Sequence, residues 1–259
     1  MVNKPAIGVA AGVLVVGVGI AYYFYGRSAL PPPQPTPAPP PPAASSEPPI
    51  EHPVPSPATT QSTPLPALND SDSAVKEGLS SLIGAHAMQY LVPQDIVRHI
   101  VVTVDNLPRQ KAPAAKRPTV AVPGAFLVQG DELHATLDPK NFERYDPMVN
   151  VVRQLDMQRV SNTYFHFYPL FQSAYQSLGY PNGYFNDRLV QVIDSLLATP
   201  QPSGPIELTR PNVLYTFADP SLEALPAGQK LLLRMGPDNA AVVKGKLKEL
   251  RALVTAPPQ

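Results

Sequence analysis

Apolar positions along this chain follow two different rhythms. From Ala6 to Tyr25 they are nearly continuous: AIGVAAGVLVVGVGIAYYFY carries no charged side chain, and its length matches the roughly 20 residues that a helix rising about 1.5 Å per residue needs to cross a bilayer. Tyr22, Tyr23 and Tyr25 close the run with side chains suited to the headgroup layer. The run exceeds the roughly 7 to 15 apolar residues of a cleaved signal peptide, so it predicts a retained anchor. From Leu68 to Val254 the apolar residues instead recur at helical spacing. That pattern predicts one mainly α domain with small β elements, an α+β arrangement being the alternative.

Within that domain, polar capping side chains at 69–73 precede Val75, Leu79, Leu82 and Ile83, predicting a helix over 74–84. A turn over 87–91 stops at Pro93. The helix predicted next, over 94–107, places Ile96, Val97, Ile100, Val101, Val104 and Leu107 on one broad face and ends before Pro108. Residues 126–129 and 133–137 flank Gly130-Asp131, a hairpin signal, and predict two short strands. Short helical pieces over 141–145 and 148–155 are separated by Pro147, and a long helix is predicted over 156–178. In it Tyr164, Tyr168, Phe171 and Tyr175 share one stripe, which predicts burial in the core, while Pro169 predicts a kink or a restart. Phe185, Asn186 and Val190 fit a hydrophobic staple around an asparagine cap for a helix running to Pro200. Strands are predicted over 206–209 and 213–217, at an edge because of Pro211. A capped turn after Asp219, an apolar piece over 230–235 and a helix begun by Asp238 complete the domain; that helix turns Val243, Leu247, Leu250 and Val254 inward and Lys244, Lys248 and Arg251 outward.

Composition changes this picture chiefly between anchor and domain. Nearly half of the chain's 35 prolines lie between Leu30 and Pro66. Proline fixes φ and removes a donor, so the stretch predicts an extended polyproline stalk of about 3.1 Å per residue, with His52 solvated among its prolines. The expected order is a cytoplasmic tail (1–5), a transmembrane anchor (6–25), a proline-rich linker (26–67), a globular domain (68–254) and a disordered tail (255–259). Lys4 and the amino terminus precede the anchor and only Arg27 follows it closely, which favours a cytoplasmic N-terminus and a periplasmic domain in a bacterial inner membrane.

Charge and candidate chemistry narrow the function. Lys plus Arg and Asp plus Glu number 20 each, a formal net charge of +0, so no global field draws nucleic acid. With 0 cysteines the chain has no disulfide, thiolate nucleophile or zinc–thiolate site. It has no GxSxG, GxxxxGK, GxGxxG or HExxH sequence, and His86, His99, His134 and His166 show no metal-binding spacing, so no cofactor or metal is expected. Asp105 is the local oddity. It falls in the last turn of its helix, where a negative charge opposes the helix dipole and invites a cation, with Arg109 and Arg98 the candidates. The pairing either only closes the helix end or, with Arg144 and Tyr145, forms a polar binding pocket. Asp105, Arg109, Arg144 and Tyr145 are therefore the candidate binding residues, the two arginines lying next to the breaks at Pro108 and Pro147.

The phrases VDNLPR, VPGAF, LDPKNFERYDP, YPLFQSAYQSLGYP and PAGQKLLLRMGPDNAAVVKGKLKELR, in this order behind an apolar run and a proline stretch, resemble a proteobacterial family of single-pass envelope proteins whose domain has no assigned function. The resemblance covers about 68–254. It implies one domain and an envelope setting, and it brings no catalytic residue. The plan of short tail, span, stalk and outer domain is also similar to energy-transducing TonB-type proteins, in architecture alone. Tether, reach and missing catalytic motifs together favour a binding or scaffolding module that recognises an envelope protein or polysaccharide. The alternative is an envelope hydrolase acting on a sugar or peptide polymer through Asp131 or Asp156 with Glu143, which needs the carboxyls roughly 5 to 9.5 Å apart.

Overall fold

Helix α1 (Asp72–Ile83) begins with an aspartate whose carboxylate serves the next helix. Asp72 accepts from the backbone N–H groups of Asp95, at 2.8 Å, and Ile96, at 3.0 Å. Two donors that open helix α2 (Ile96–Asn106) are thus satisfied from outside it, and Asp95 takes a left-handed φ of 51° to present them. This explains why α2 starts at Ile96 rather than at residue 94: the capping carboxylate is distant in sequence.

This computed structural model describes residues 49–55, 64–131 and 134–256. The anchor run, the tail before it and most of the proline-rich stretch lie outside them. Among the described residues no helix is long and apolar enough to cross a membrane. The described chain is mainly helical, a single domain with two small antiparallel sheets.

After α2 come strands β1 (Val128–Gln129) and β2 (Thr136–Leu137), then α3 (Lys140–Glu143), α4 (Asp146–Gln154), α5 (Met157–Ser177) and α6 (Phe185–Leu197). Strands β3 (Leu208–Thr209) and β4 (Thr216–Phe217) follow, and α7 (Pro220–Glu223), α8 (Ala227–Arg234) and α9 (Pro237–Val254) end the order. Helix α9 packs on α4, α5 and α6, while α2 packs on α1, α5 and α6, so α5 and α6 are the walls shared by both. Their inward residues form the main core, with Val101, Val104, Val149, Leu189, Ile193 and Leu247 essentially solvent-free. The aromatic stripe is buried as its spacing predicts: Tyr164, Tyr168, Phe171 and Tyr175 are 9%, 7%, 9% and 7% exposed. Phe171 stacks on Phe185 with ring centres 5.8 Å apart.

Of the kink or restart that Pro169 predicts, the restart does not occur, since α5 runs through it from Met157 to Ser177. That proline lies on the exposed face of the helix, away from the core. Asn186 is not a cap: α6 starts at Phe185 without a side-chain cap, and Asn186 is an interior cross-link, accepting from the Tyr164 hydroxyl and donating to the His52 and Val254 carbonyls. A buried amide is tolerated there because each polar end is satisfied.

The strands are shorter than their β-rich sequences predict, because only the pairs Val128–Leu137 with Gln129–Thr136, and Leu208–Phe217 with Thr209–Thr216, are in register. A bridge between Thr136 and Glu207 joins the two hairpins. They enclose a second, smaller core of Ala135, Leu137, Leu208, Phe217 and Leu233. The apolar piece predicted over 230–235 is the end of α8. Its buried Lys230 donates to the Glu223 carboxylate at 2.8 Å and to the Glu223 carbonyl at 2.9 Å, and the buried Arg234 lies 4.9 Å from the centre of the Phe217 ring.

Candidate functional site

Of the four residues the sequence nominates, the structure brings two together. Asp105 is 3% exposed at the end of α2, and its carboxylate accepts from Arg109 Nη2 at 2.6 Å. A second arginine completes the arrangement: Arg188 of α6 donates from Nε to Asp105 Oδ1 at 3.2 Å and from Nη2 to the Asp105 backbone carbonyl at 2.6 Å. One guanidinium therefore compensates both the misplaced carboxylate and a terminal carbonyl of α2. Tyr180 accepts from Arg109 at 3.0 Å and donates to Asp105 at 3.4 Å. Arg98 goes elsewhere, to Asp95 and Asn69.

Arg144 and Tyr145 do not join this cluster. The Arg144 guanidinium donates to the Pro123 and Gly124 carbonyls and to Asn141 Oδ1, which fastens the 122–126 loop onto α3. Tyr145 is 3% exposed, and burial pushes its hydroxyl up to about 12, against a smaller opposing effect of Arg234 and Arg144. The carboxylates of the hydrolase alternative have roles of their own or face solvent. Asp131 bonds His134, Asp156 caps α5 by accepting from the N–H groups of Gln158 and Arg159, and Glu143 is exposed.

Beside Asp105 a shallow recess of about 460 Å³ opens between Tyr175, Tyr180, Tyr184 and Arg188, and Pro49 and Glu51 of the proline stretch lie along it. The backbone N–H groups of Glu51 and His52 donate to the Asp187 carboxylate at 3.1 and 2.7 Å, and that of Val54 donates to the Tyr184 hydroxyl at 2.8 Å. Proline leaves few donors in this stretch, and the first turn of α6 takes these three. Residues 49–55 are thus a strap on the domain, so the linker expected over 26–67 is partly held against it.

A more enclosed pocket of about 400 Å³ lies beyond the other end of α6, where the small core meets α9. Its walls come from the ends of elements. The TPQPSGPI loop after α6 gives Pro200, Pro202, Pro205 and Ile206, the end of α8 gives Leu232 and Leu233, and the hairpin side gives Leu137 and Phe142. Gly236 turns the chain from α8 into α9 at a φ of 85°, a conformation costly for other residues. A Cβ there would meet the Phe142 ring at 2.5 Å, so glycine also sets how closely α3 approaches. On α9, Ala240 and Lys244 stand one turn apart and both line the pocket, alanine leaving room and lysine supplying charge.

Lys244 was expected to face outward. Its ammonium instead folds over the pocket and donates to the Thr199 carbonyl at 2.6 Å, just past the end of α6, where a cation suits the helix dipole. Burial lowers its pKa below the usual lysine value. Among the described residues no carboxylate pairs with it, and no Asp or Glu lines the pocket. Arg251, also expected outward, is half-exposed and paired with Asp194, whereas Lys248 is exposed. The sequence signal that locates this pocket is the coincidence of Ala240 and Lys244 with a proline-rich loop long enough to stand off the helices. The signal for Arg188 is absent, since its partner lies 83 positions away.

The profile of the family described as "Protein of unknown function (DUF3014)" matches residues 96–251, from the start of α2 to the last turn of α9. The match contains the Asp105 cluster and the apolar pocket, and it leaves out α1 and the strap. No curated protein and no solved structure matches the chain.

Proposed function

This chain belongs to the DUF3014 family, and we propose that its domain is a binding module rather than an enzyme, recognising another component of the bacterial envelope. In this reading residues 6–25 anchor it in the inner membrane with the N-terminus in the cytoplasm, the proline-rich stretch carries it outward, and the domain works in the periplasm.

The observation that supports binding is the preformed pocket between α8, α9 and the TPQPSGPI loop. Concave, mainly apolar recesses of roughly 300 to 1,000 Å³ with a few fixed polar groups are the usual form of a small-ligand site. The pocket lies within the matched residues 96–251, so it is built from the part of the chain that defines the family. The Asp105 cluster serves the fold better than a ligand. Its carboxylate is already engaged by two arginines and a tyrosine, so a ligand there would have to displace internal bonds.

Photo-crosslinking in intact cells tests this reading. A photoreactive residue replacing Gln201, which is exposed and lines the pocket, should give a discrete light-dependent adduct on the full chain; one replacing the exposed Asn150 of α4 should not. Equal labelling at both positions, or none at Gln201, contradicts it. A periplasm-only reporter fused after Gln259 tests the orientation, which an expressed but inactive fusion would overturn.

A further inference from the structure

The walls of the pocket say what kind of ligand suits it. Of the residues lining it, Lys244 is the charged one and Phe142 the aromatic one; the rest are aliphatic, prolyl, glycyl or uncharged polar. A sugar is held by stacking on aromatic faces and by many donors and acceptors, and a planar ring also needs faces to stack on. This pocket offers one aromatic ring, Phe142, and the polar side chains of Gln129, Thr136, Thr199 and Gln201, a sparse set for either. Leu137, Leu232, Leu233, Ile206 and the prolines instead present CH groups suited to a flexible hydrocarbon chain. A volume of about 400 Å³ is near the lower end for small-ligand sites, enough for a single chain.

The polar end of the ligand follows from Lys244. Among the described residues no carboxylate pairs with it, and the Thr199 carbonyl occupies one of its three donors. A partly buried ammonium without an anion beside it is an incomplete arrangement, and a carboxylate completes it with charge-assisted hydrogen bonds.

We infer that the pocket takes an aliphatic monocarboxylate of medium chain length, its hydrocarbon laid between α8, α9 and the TPQPSGPI loop and its carboxylate on Lys244. This rests on the binding reading above and adds the ligand class to it. The carboxylate lies at the mouth, beside Thr199, and the chain runs toward Leu233 and Leu137. No bond is made or broken, and the domain acts as a carrier or sensor of the bound acid.

The test uses the full chain in zwitterionic nanodiscs, titrated with octanoate carrying a carbon-13 carboxyl, with empty nanodiscs to subtract partition into lipid. Saturable one-site binding is expected. Lys244→Met should weaken it by about tenfold or more, because a charge-assisted bond is lost while the side-chain stem remains; Lys244→Arg should retain most of it. Gly204 lines the pocket and a Cβ there meets nothing within 4 Å, so Gly204→Trp sets a bulky ring at the pocket wall and should occlude it. Octanol and octyltrimethylammonium should displace octanoate poorly. If octanol competes as well as octanoate, or Lys244→Met binds equally, while Gly204→Trp still blocks, the carboxylate assignment is overturned and the binding reading stands. If none of the three probes binds saturably, or Gly204→Trp changes nothing, the pocket assignment falls as well.

Discussion

The helical body and the hairpin lobe solve the same problem, burying apolar surface, in different ways. In the body, long helices each contribute a continuous stripe, and α5 and α6 are packed from both sides, so Leu189, Ile193 and Leu247 reach 0% exposure. In the lobe, paired segments of two residues and a proline-rich loop enclose five buried apolar side chains, and seven partly buried ones, Phe142 and Tyr215 among them, pack against these. The recesses of the helical body, one between α1 and α5 and one beside Asp105, are open and shallow, whereas the loop-built walls of the lobe meet imperfectly around a more enclosed, mainly apolar space. The pocket lies at that seam. The comparison teaches that stability and recognition are separated in this domain: the body holds the fold, and the lobe supplies a concave surface against it.

The largest expected effect is in the body. Leu247→Ala should cost about 2 to 5 kcal/mol, read from denaturant unfolding, because the packed walls cannot collapse into the cavity. Asp105→Ala comes next at about 3 kcal/mol, since it leaves the mostly buried Arg188 without its carboxylate; Arg109→Gln, at an arginine half exposed to water, should cost less than about 1 kcal/mol. In the lobe, Leu208→Ala should cost about 2 kcal/mol or less, because a loop-built wall relaxes more readily. Equal losses at Leu208 and Leu247 would break the comparison.

The smallest effect is a pH dependence of the body. His99 lies in α2 with Nδ1 unbonded, and its pKa is lowered from the ordinary 6.5 by burial and then by Lys116, against opposing contributions from Asp95 and Asp72. The unfolded chain therefore takes up a proton at a higher pH than the folded one. Stability from this group is fully present above about 6.5 and is lost as pH falls from there through the lowered value. Replacing His99 by Leu should flatten that part of the stability–pH curve; an unchanged slope would remove His99 as its source.

The body was legible because helical periodicity is a local property. Val97, Ile100, Val101 and Val104 mark α2, and Tyr164 to Tyr175 mark the buried face of α5, from spacing alone. Its boundaries were less legible, since the α2 start depends on Asp72 and the beginning of α6 on neighbours that Asn186 joins. The lobe was legible only as turn chemistry. Gly130, at a φ of 89°, sits where Gly130-Asp131 predicts a turn, and yet the strands on either side extend only as far as tertiary pairing allows. Of the nominated residues, Asp105 and Arg109 meet because they lie one helical turn apart. Arg144 was nominated for its place beside a break and is consumed by backbone carbonyls of the preceding loop, a contact no local pattern records. Lys244 read as solvent-facing because its helix face is basic, and only the TPQPSGPI loop folding over that face gives it another environment.

The most direct test of the division between body and lobe is an amide chemical-shift map of the isotope-labelled full chain in nanodiscs, recorded with and without octanoate. Shifts confined to Gly204, Ile206, Leu233, Gly236, Ala240 and Lys244, with Asp105, Arg109 and Arg188 unmoved, are the predicted result. Shifts centred on Asp105 and Arg109, or none beyond those caused by lipid partition, would contradict it.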